Sequence, residues 1–169
     1  LTPAHWRRIN TMTISYGHGI AVSPIQLVSG IASVVNGGIL YRPRITKIPD
    51  GGGVSGSRVL SKETSKKMRG LMRLVVRNGT GRNADVPGYL IGGKTGTSEK
   101  RGFRGGYDGS RRMSSFVAAF PMNKPKYVIL AMVDEPKGTK RTHGQATGGW
   151  VAAPIVARVV RRMAPLLGL

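Results

Sequence analysis

Cysteine is absent from this 169-residue sequence, and acidic side chains are scarce. Without cysteine, the chain has neither a disulfide framework nor a thiolate metal site. Its 7 acidic residues and 3 histidines (His5, His18 and His143) show no HExxH or comparable spacing, so we predict no metal and no cofactor. No apolar run approaches the ~18 residues that a membrane-spanning helix needs. His18 and His143 are interpreted as packing or loop residues.

The scarcity of acids leaves a strong positive charge. The chain has 27 basic residues, a formal net charge of +20 and 40% hydrophobic residues. The hydrophobic content predicts one globular domain with a core. The charge favours polyanions, so a basic module that binds nucleic acid or an anionic surface is one hypothesis. Only 3 phenylalanines and no RRM, KH or zinc-finger motif argue against nucleic acid as the partner.

Three segments have helical periodicity. Ser23 as N-cap, Pro24 in the first turn and Gln26 as capping-box partner predict a buried helix that runs to about Asn36. A second helix is predicted to begin at Ser61 and to end at residues 78–81. Its apolar stripe comprises Thr64, Met68, Leu71, Met72, Val75 and Val76. The third is predicted from about Trp150 to Leu167, with Pro154 in its first turn or at a kink.

Extended segments lie between these helices. Residues 41–48 and 89–91 are predicted to be extended, residues 50–53 to form a turn, and residues 101–112 to form a loop rich in glycine and arginine. Residues 115–120 and 127–133 read as strands, and the linker between them is too short for a crossover helix. We therefore predict an α+β fold in which helices pack on an antiparallel sheet.

A lysine between glycines is the most informative motif of the chain. Residues 92–98 read Gly-Gly-Lys-Thr-Gly-Thr-Ser, which places a cation beside hydroxyl groups and a backbone without bulky side chains. A cation and hydroxyl donors can bind an anion, and glycine lets a ligand approach the main chain closely. The segment therefore predicts a carboxylate or phosphate site around Lys94, Thr95, Gly96 and Thr97.

Two kinds of site fit this motif. Residues 88–95 satisfy GxxxxGK[ST], the pattern of a phosphate-binding loop, and Asp134 follows an apolar run as a magnesium-binding strand would. A phosphate-binding loop must open a helix, however, whereas residues 96–102 lead into further glycines. The alternative places Lys94–Thr97 on a strand beside a groove, as in penicillin-binding proteins and serine β-lactamases. We favour the strand.

Further segments strengthen this alternative. Residues 16–27, Tyr-Gly-His-Gly-Ile-Ala-Val-Ser-Pro-Ile-Gln-Leu, resemble the Y-G-x-G-x-x-x-(S/T)-P-x-Q-(L/M) segment of class B penicillin-binding proteins. Matching segments follow in order at 36–38, 76–81, 87–89, 94–97, 115–121 and 146–154. The chain thus resembles the C-terminal part of a penicillin-binding transpeptidase domain over nearly its whole length. The division-specific branch is the better match, with the elongation branch as the alternative.

The resemblance implies a mechanism and site residues. A serine of the family attacks a D-alanyl-D-alanine bond of a peptidoglycan stem peptide, and β-lactam antibiotics trap that serine. The resemblance also implies that Lys94 lies on the electrostatic side of the groove and that the hydroxyls of Thr95 and Thr97 bind the substrate carboxylate. The backbone N–H of Thr97 would be an oxyanion-hole donor. A side chain at Gly96 would push the substrate off the strand.

Two motifs of the family are missing from the sequence. No serine is followed at the third position by lysine or at the second by asparagine, so neither SxxK nor SxN occurs. We therefore expect residues 1–169 to be the C-terminal portion of one domain, inactive alone, whose partner is the N-terminal remainder. The expected parent is membrane-anchored and extracytoplasmic, and it works with division-machinery proteins. Its expected ligands are stem peptides and β-lactams rather than nucleic acid.

Overall fold

The fold is an antiparallel sheet covered by helices, as the α+β prediction requires. The computed structural model describes residues 3–102 and 106–169. Its helices are α1 (Arg8–Ile14), α2 (Pro24–Val35), α3 (Lys62–Asn78), α4 (Gly148–Val151) and α5 (Ala153–Leu166). Its strands are β1 (Ile39–Tyr41), β2 (Gly56–Arg58), β3 (Gly92–Arg101), β4 (Tyr107–Phe120) and β5 (Tyr127–Asp134). Within these ranges, every helix is too short or too polar to span a bilayer.

The main sheet has β4 at its centre and β3 and β5 on either side. Both pairs are antiparallel, with Lys94 opposite Val117 and Phe120 opposite Tyr127. The predicted hairpin between residues 115–120 and 127–133 is confirmed. In the described part of the chain β3 has β4 as its single neighbouring strand, so its other edge is open.

The predicted loop at 101–112 was wrong where the structure describes it. β3 continues to Arg101 and β4 begins at Tyr107, with a register shift between Glu99 and Lys100. Ion pairs hold this extension in place: Lys100 Nζ lies 2.7 Å from Asp134 and 2.9 Å from Glu135. These pairs tie the end of β3 to the end of β5 across β4, and the extension forms despite the low strand propensity of its glycines. Residues 103–105 of the predicted loop lie outside the described residues.

The start of β3 also differs from the prediction. Residues 89–91 were predicted to be a strand, but Val86 and Tyr89 form an isolated bridge around a turn, and β3 begins at Gly92. Gly88 adopts a φ of 87° in this turn, a conformation that L-residues other than glycine rarely take. The turn delivers the chain into β3 with the Lys-Thr-Gly residues in the strand.

The core lies between the sheet and helices α3 and α5. Its fully buried side chains include Val76 of α3, Phe116 of β4 and Val156 and Val160 of α5. α3 begins after Ser61, close to its predicted start, and the Ser61 hydroxyl accepts a hydrogen bond from Thr64 N at 3.0 Å. Its predicted apolar stripe is only partly buried, since Met72 and Val76 lie inside whereas Leu71 is exposed.

The first predicted helix has the predicted caps but not the predicted burial. Ser23 N donates to Gln26 Oε1 at 2.9 Å and Gln26 N donates to Ser23 Oγ at 3.3 Å, which completes a capping box. Only Ser33 and Val35 of α2 are buried, and Ile25 is 54% exposed. The side of α2 that carries Ile25 therefore has no covering element among the described residues.

Three further elements differ from expectation. The extended segment predicted at 41–48 is displaced: β1 ends at Tyr41 and pairs with β2, and the turn at 50–51 lies in the connection between them. α1 was not predicted. The C-terminal helix is divided at Ala152 into α4 and α5, and Pro154 lies in the first turn of α5, as predicted.

Candidate active site

The Lys-Thr-Gly-Thr segment lies in the middle of β3. Lys94, Thr95, Gly96 and Thr97 pair with Val117, Phe116, Ser115 and Ser114 of β4. The chain continues as strand beyond Thr97 and opens no helix, so the phosphate-loop interpretation is wrong. Asp134, its supposed magnesium ligand, is instead paired with Lys100. The predicted strand placement of residues 94–97 is confirmed.

Thr95 and Thr97 project from the same face of β3 because side chains alternate along a strand. Thr95 Oγ1 lies 3.0 Å from Thr80 Oγ1, and Thr97 Oγ1 accepts a hydrogen bond from Gly148 N at 3.2 Å. Both threonines line one cavity of about 530 Å³, which we call the threonine pocket. Its other lining residues are Gly79, Thr80, Arg82, Asn83, Thr147, Gly149 and Trp150.

The lining of the threonine pocket suits an anion. It offers the hydroxyl of Thr80, the amide of Asn83 and the guanidinium of Arg82, and no aspartate or glutamate is among the described residues that line it. Hydroxyl and guanidinium donors are well suited to a carboxylate. The pocket can therefore hold a carboxylate beside the open edge of β3.

Lys94 and Gly96 occupy the opposite face of the strand. Lys94 is exposed, does not line the threonine pocket, and donates from Nζ to Thr95 O at 2.8 Å. A Cβ at Gly96 would lie 2.5 Å from Ser115 Oγ of the neighbouring strand. The structure thus brings Thr95 and Thr97 together at one pocket and places Lys94 and Gly96 behind them.

A glycine pair from the C-terminal segment fits against β3. A Cβ at Gly148 would lie 2.1 Å from Ser115 O and 2.7 Å from Gly96 O, and a Cβ at Gly149 would lie 2.3 Å from Thr80 O. Backbone atoms cannot yield as a flexible side chain can, so these positions require glycine. This close approach brings Gly148 N within reach of Thr97.

Seven of the nine residues that line the pocket were not singled out from the sequence as site residues, among them Thr80, Asn83 and Trp150. Asn83 Nδ2 donates to Gly149 O at 2.9 Å, and this bond joins the turn after α3 to the start of α4. The Trp150 ring meets the His143 ring edge-on, at a centroid distance of 5.5 Å. Thr80 and Trp150 lie in segments that match the family, but no role was predicted for them from the sequence.

Comparison with known proteins identifies the family to which the chain belongs. The sequence profile of a family described as the penicillin binding protein transpeptidase domain matches residues 1–161. The chain belongs to this transpeptidase family. The predicted resemblance and the predicted fold class are therefore both confirmed.

Named members of the transpeptidase family share substantial sequence with the chain. It is 43% identical, over its whole length and 30% of the relative's, to the "Probable peptidoglycan D,D-transpeptidase FtsI" of Caulobacter vibrioides. It is 39% identical to "Stage V sporulation protein D" of Bacillus subtilis, over 95% of the chain and 26% of the relative. The chain thus spans less than a third of either relative.

A solved transpeptidase structure shares the fold. The apo transpeptidase domain of Burkholderia pseudomallei penicillin-binding protein 3 matches 97% of the chain with a TM-score of 0.85 and 38% identity. The match covers 48% of that domain, so the chain corresponds to about half of a solved member of the family.

Proposed function

We propose that the chain forms one wall of the active site of a peptidoglycan D,D-transpeptidase. In this proposal, a serine outside the chain attacks the carbonyl carbon of the D-alanyl-D-alanine bond, and its proton passes to a base. D-alanine leaves with a proton, and an amine of a second stem peptide then attacks the acyl-enzyme and releases the serine. This cross-links the two stem peptides.

The proposed roles of the chain's residues follow from their places on β3. The hydroxyls of Thr95 and Thr97 donate to the terminal carboxylate in the threonine pocket, and Lys94 adds positive charge behind them. The Thr97 backbone N–H is the proposed oxyanion donor, whose loss would lower the rate by about 10²-fold or more. Gly96 lies behind this surface, and the absence of a side chain there is proposed to let the peptide approach the open edge of β3. The observation that carries the proposal is the pair of threonine hydroxyls beside an open strand edge, in a pocket with Arg82.

We also propose that residues 1–169 are the C-terminal portion of a single domain and that its N-terminal remainder covers α1 and α2. The exposed apolar side chains support this. Trp6 is 59% exposed and Tyr16 is 69% exposed, and Ile9, Met12 and Ile25 are exposed nearby. Burial of such side chains contributes about 1.5–3 kcal/mol each. The remainder would also supply the serine, its base and the SxN motif.

The septal branch is the proposed physiological setting. The Caulobacter relative carries the FtsI name, and the solved penicillin-binding protein 3 from Mycobacterium tuberculosis is described as complexed with ampicillin, at 25% identity and a TM-score of 0.78. We extend β-lactam binding and division-machinery partners to this chain as proposals. An extracytoplasmic site with a membrane anchor on the parent belongs to the same proposal.

Covalent labelling by a fluorescent penicillin tests this function. The full-length protein should be labelled at a serine outside residues 1–169, and the isolated chain should not be labelled. Mixing the isolated chain with the separately expressed N-terminal portion should restore labelling if the two associate. Attachment of the label at a residue of the isolated chain would refute the proposal, as would a full-length protein that binds no β-lactam.

A further inference from the structure

A second cavity adjoins the threonine pocket. It has a volume of about 590 Å³ and lies between residues 136–142 and helix α5. Four cationic side chains line it: Lys137, Arg141, Arg158 and Arg161. We call this cavity the basic cleft. No aspartate or glutamate is among its lining residues in the described ranges.

The charge of the basic cleft has no acidic partner among the described residues. None of its four cations forms an ion pair with a described residue. The acids nearest in sequence, Asp134 and Glu135, are held by Lys100 at 2.7 and 2.9 Å. Four like charges around one cavity repel each other, and an anion bound between them relieves that repulsion. The cleft is therefore complementary to a ligand with more than one negative group.

Much of the remaining lining is apolar, which favours a ligand that also carries hydrophobic segments. Val133, Pro154, Ile155 and Ala157 line the cleft between the charged side chains, and the first three are half-buried. An inorganic anion would leave this surface without a partner. A chain of aliphatic segments that carry carboxylates fits both parts of the lining, since arginine binds carboxylates with paired donors.

The basic cleft and the threonine pocket share two lining residues. Asn83 and Trp150 line both cavities, so they form the ridge between them. Asn83 is tied to Gly149 O by a 2.9 Å hydrogen bond, and Trp150 packs edge-on against His143. A peptide anchored at Thr95 and Thr97 would therefore have to pass Asn83 and Trp150 to reach the basic cleft.

We infer that the basic cleft is a subsite for additional carboxylates of a stem peptide at the candidate active site. This inference rests on the proposed transpeptidase function and adds a charge requirement to its substrate. The carboxylates can come from the donor peptide that acylates the serine or from the acceptor peptide that resolves it. Both sources present the same chemistry to the four cations.

Steady-state transpeptidation by the full-length protein tests the subsite. The double variant Arg158→Gln/Arg161→Gln removes two charges, and Arg162→Gln is the matched control, because Arg162 is exposed on the same helix but does not line the cleft. Donor and acceptor peptides are each supplied with free or amidated side-chain carboxylates. The double variant should raise KM for the carboxylate form of one peptide by about tenfold or more, as loss of charge-assisted hydrogen bonds does.

The amidated form identifies the source of the carboxylates. Amidation of the bound peptide should raise the wild-type KM to a similar degree, and the double variant should then add no further loss. An increase in KM for the donor peptide assigns the cleft to the acylation step. An increase in KM for the acceptor peptide assigns it to the step in which the amine attacks the acyl-enzyme. The Arg162→Gln variant should retain the wild-type KM in both arms.

Three results would overturn the inference. One is an equal increase in KM for carboxylate and amidated peptides. Another is an equal increase in KM in Arg162→Gln, which would indicate an effect of long-range charge alone. The third is competition by a DNA oligonucleotide as strong as by the peptide at physiological salt. Labelling by fluorescent penicillin keeps the two proposals apart: if the double variant is labelled normally without any carboxylate dependence, the subsite fails and the transpeptidase function stands.

Discussion

Thr80 Oγ1 lies 3.0 Å from Thr95 Oγ1, so a residue just after α3 holds a hydroxyl group of the Lys-Thr-Gly strand. If Thr80 donates this bond, the Thr95 proton is free to donate to a carboxylate in the pocket. We expect Thr80→Val to lower the second-order rate constant of acylation by a fluorescent penicillin by about 3- to 10-fold. This is the effect of one lost hydrogen bond.

Thr80→Ser is the control for this prediction because it retains the hydroxyl. It should acylate at close to the wild-type rate. Thr80 is exposed, so neither variant should change the melting temperature of the full-length protein appreciably. Equal losses in Thr80→Ser and Thr80→Val would contradict the role of the hydroxyl.

Gly96 and Ser115 face each other across the β3–β4 pair, and a Cβ at Gly96 would lie 2.5 Å from Ser115 Oγ. Gly96→Ala should therefore destabilise the fold by about 1–3 kcal/mol, the usual cost of overpacking. Removal of the Ser115 hydroxyl in Gly96→Ala/Ser115→Ala should restore most of that stability. Chemical denaturation of the single and double variants measures this coupling.

Activity of the same variants separates two reasons for glycine at position 96. If the added methyl group also obstructs the peptide on the strand surface, the double variant should fold well and still acylate slowly. If crowding against Ser115 is the whole cause, acylation should recover together with stability. Recovery of both would remove Gly96 from the proposed substrate-binding surface.

Gly148 is confined by backbone atoms, since its Cβ would lie 2.1 Å from Ser115 O. Gly148→Ala should force α4 away from β3 and break the 3.2 Å bond from Gly148 N to Thr97 Oγ1. We expect a loss of about 1–3 kcal/mol in the free energy of unfolding and slower acylation. Thermal denaturation and penicillin labelling of the full-length protein measure the two effects.

Gly70 provides the opposite control. It lies in the middle of α3, and apart from its chain neighbours and the backbone of that helix no described atom lies within 4 Å of where an alanine Cβ would be. Gly70→Ala should therefore stabilise the helix by about 0.5–1 kcal/mol, because alanine has less backbone entropy to lose than glycine. If Gly148→Ala were as well tolerated as Gly70→Ala, the close approach of α4 to β3 would be incorrect.

Local patterns predicted the elements whose causes are local. The capping box of Ser23 and Gln26 and the short linker between β4 and β5 depend on neighbouring residues, and both were read correctly from the sequence. The burial of α2 depends on what packs against it, which periodicity does not reveal. The extension of β3 and β4 depends on pairs such as Lys100 with Asp134, 34 residues apart.

In the candidate site, too, the features with local causes were predicted from the sequence and those that depend on long-range contacts were not. The strand position of Lys94–Thr97 followed from the glycines and from the matching motifs. The convergence of Thr80, Asn83 and Trp150 on that strand depends on long-range contacts, such as the bond from Asn83 to Gly149 across 66 residues. That the described lining of the pocket contains no aspartate or glutamate likewise emerges only once the lining is assembled in space.

The stability of the β3–β4 extension should depend on acidity through Asp108. Its carboxylate accepts hydrogen bonds from Ser110 Oγ at 2.6 Å, Ser110 N at 3.0 Å and Arg111 Nε at 2.9 Å, which lower its pKa from 3.8 to about 2. Because the pKa of Asp108 is lower in the folded than in the unfolded state, its carboxylate stabilises the fold fully above about pH 4. This stabilisation is lost as the pH falls through about 2. Asp108→Asn should therefore lower the melting temperature at pH 7 and have no effect near pH 2.

Asp50→Asn is the control, since that fully exposed carboxylate lies 3.9 Å from Lys47 Nζ and should not affect stability at either pH. A difference between wild type and Asp108→Asn that persists unchanged down to pH 2 would show that the carboxylate charge is not what its three donors stabilise.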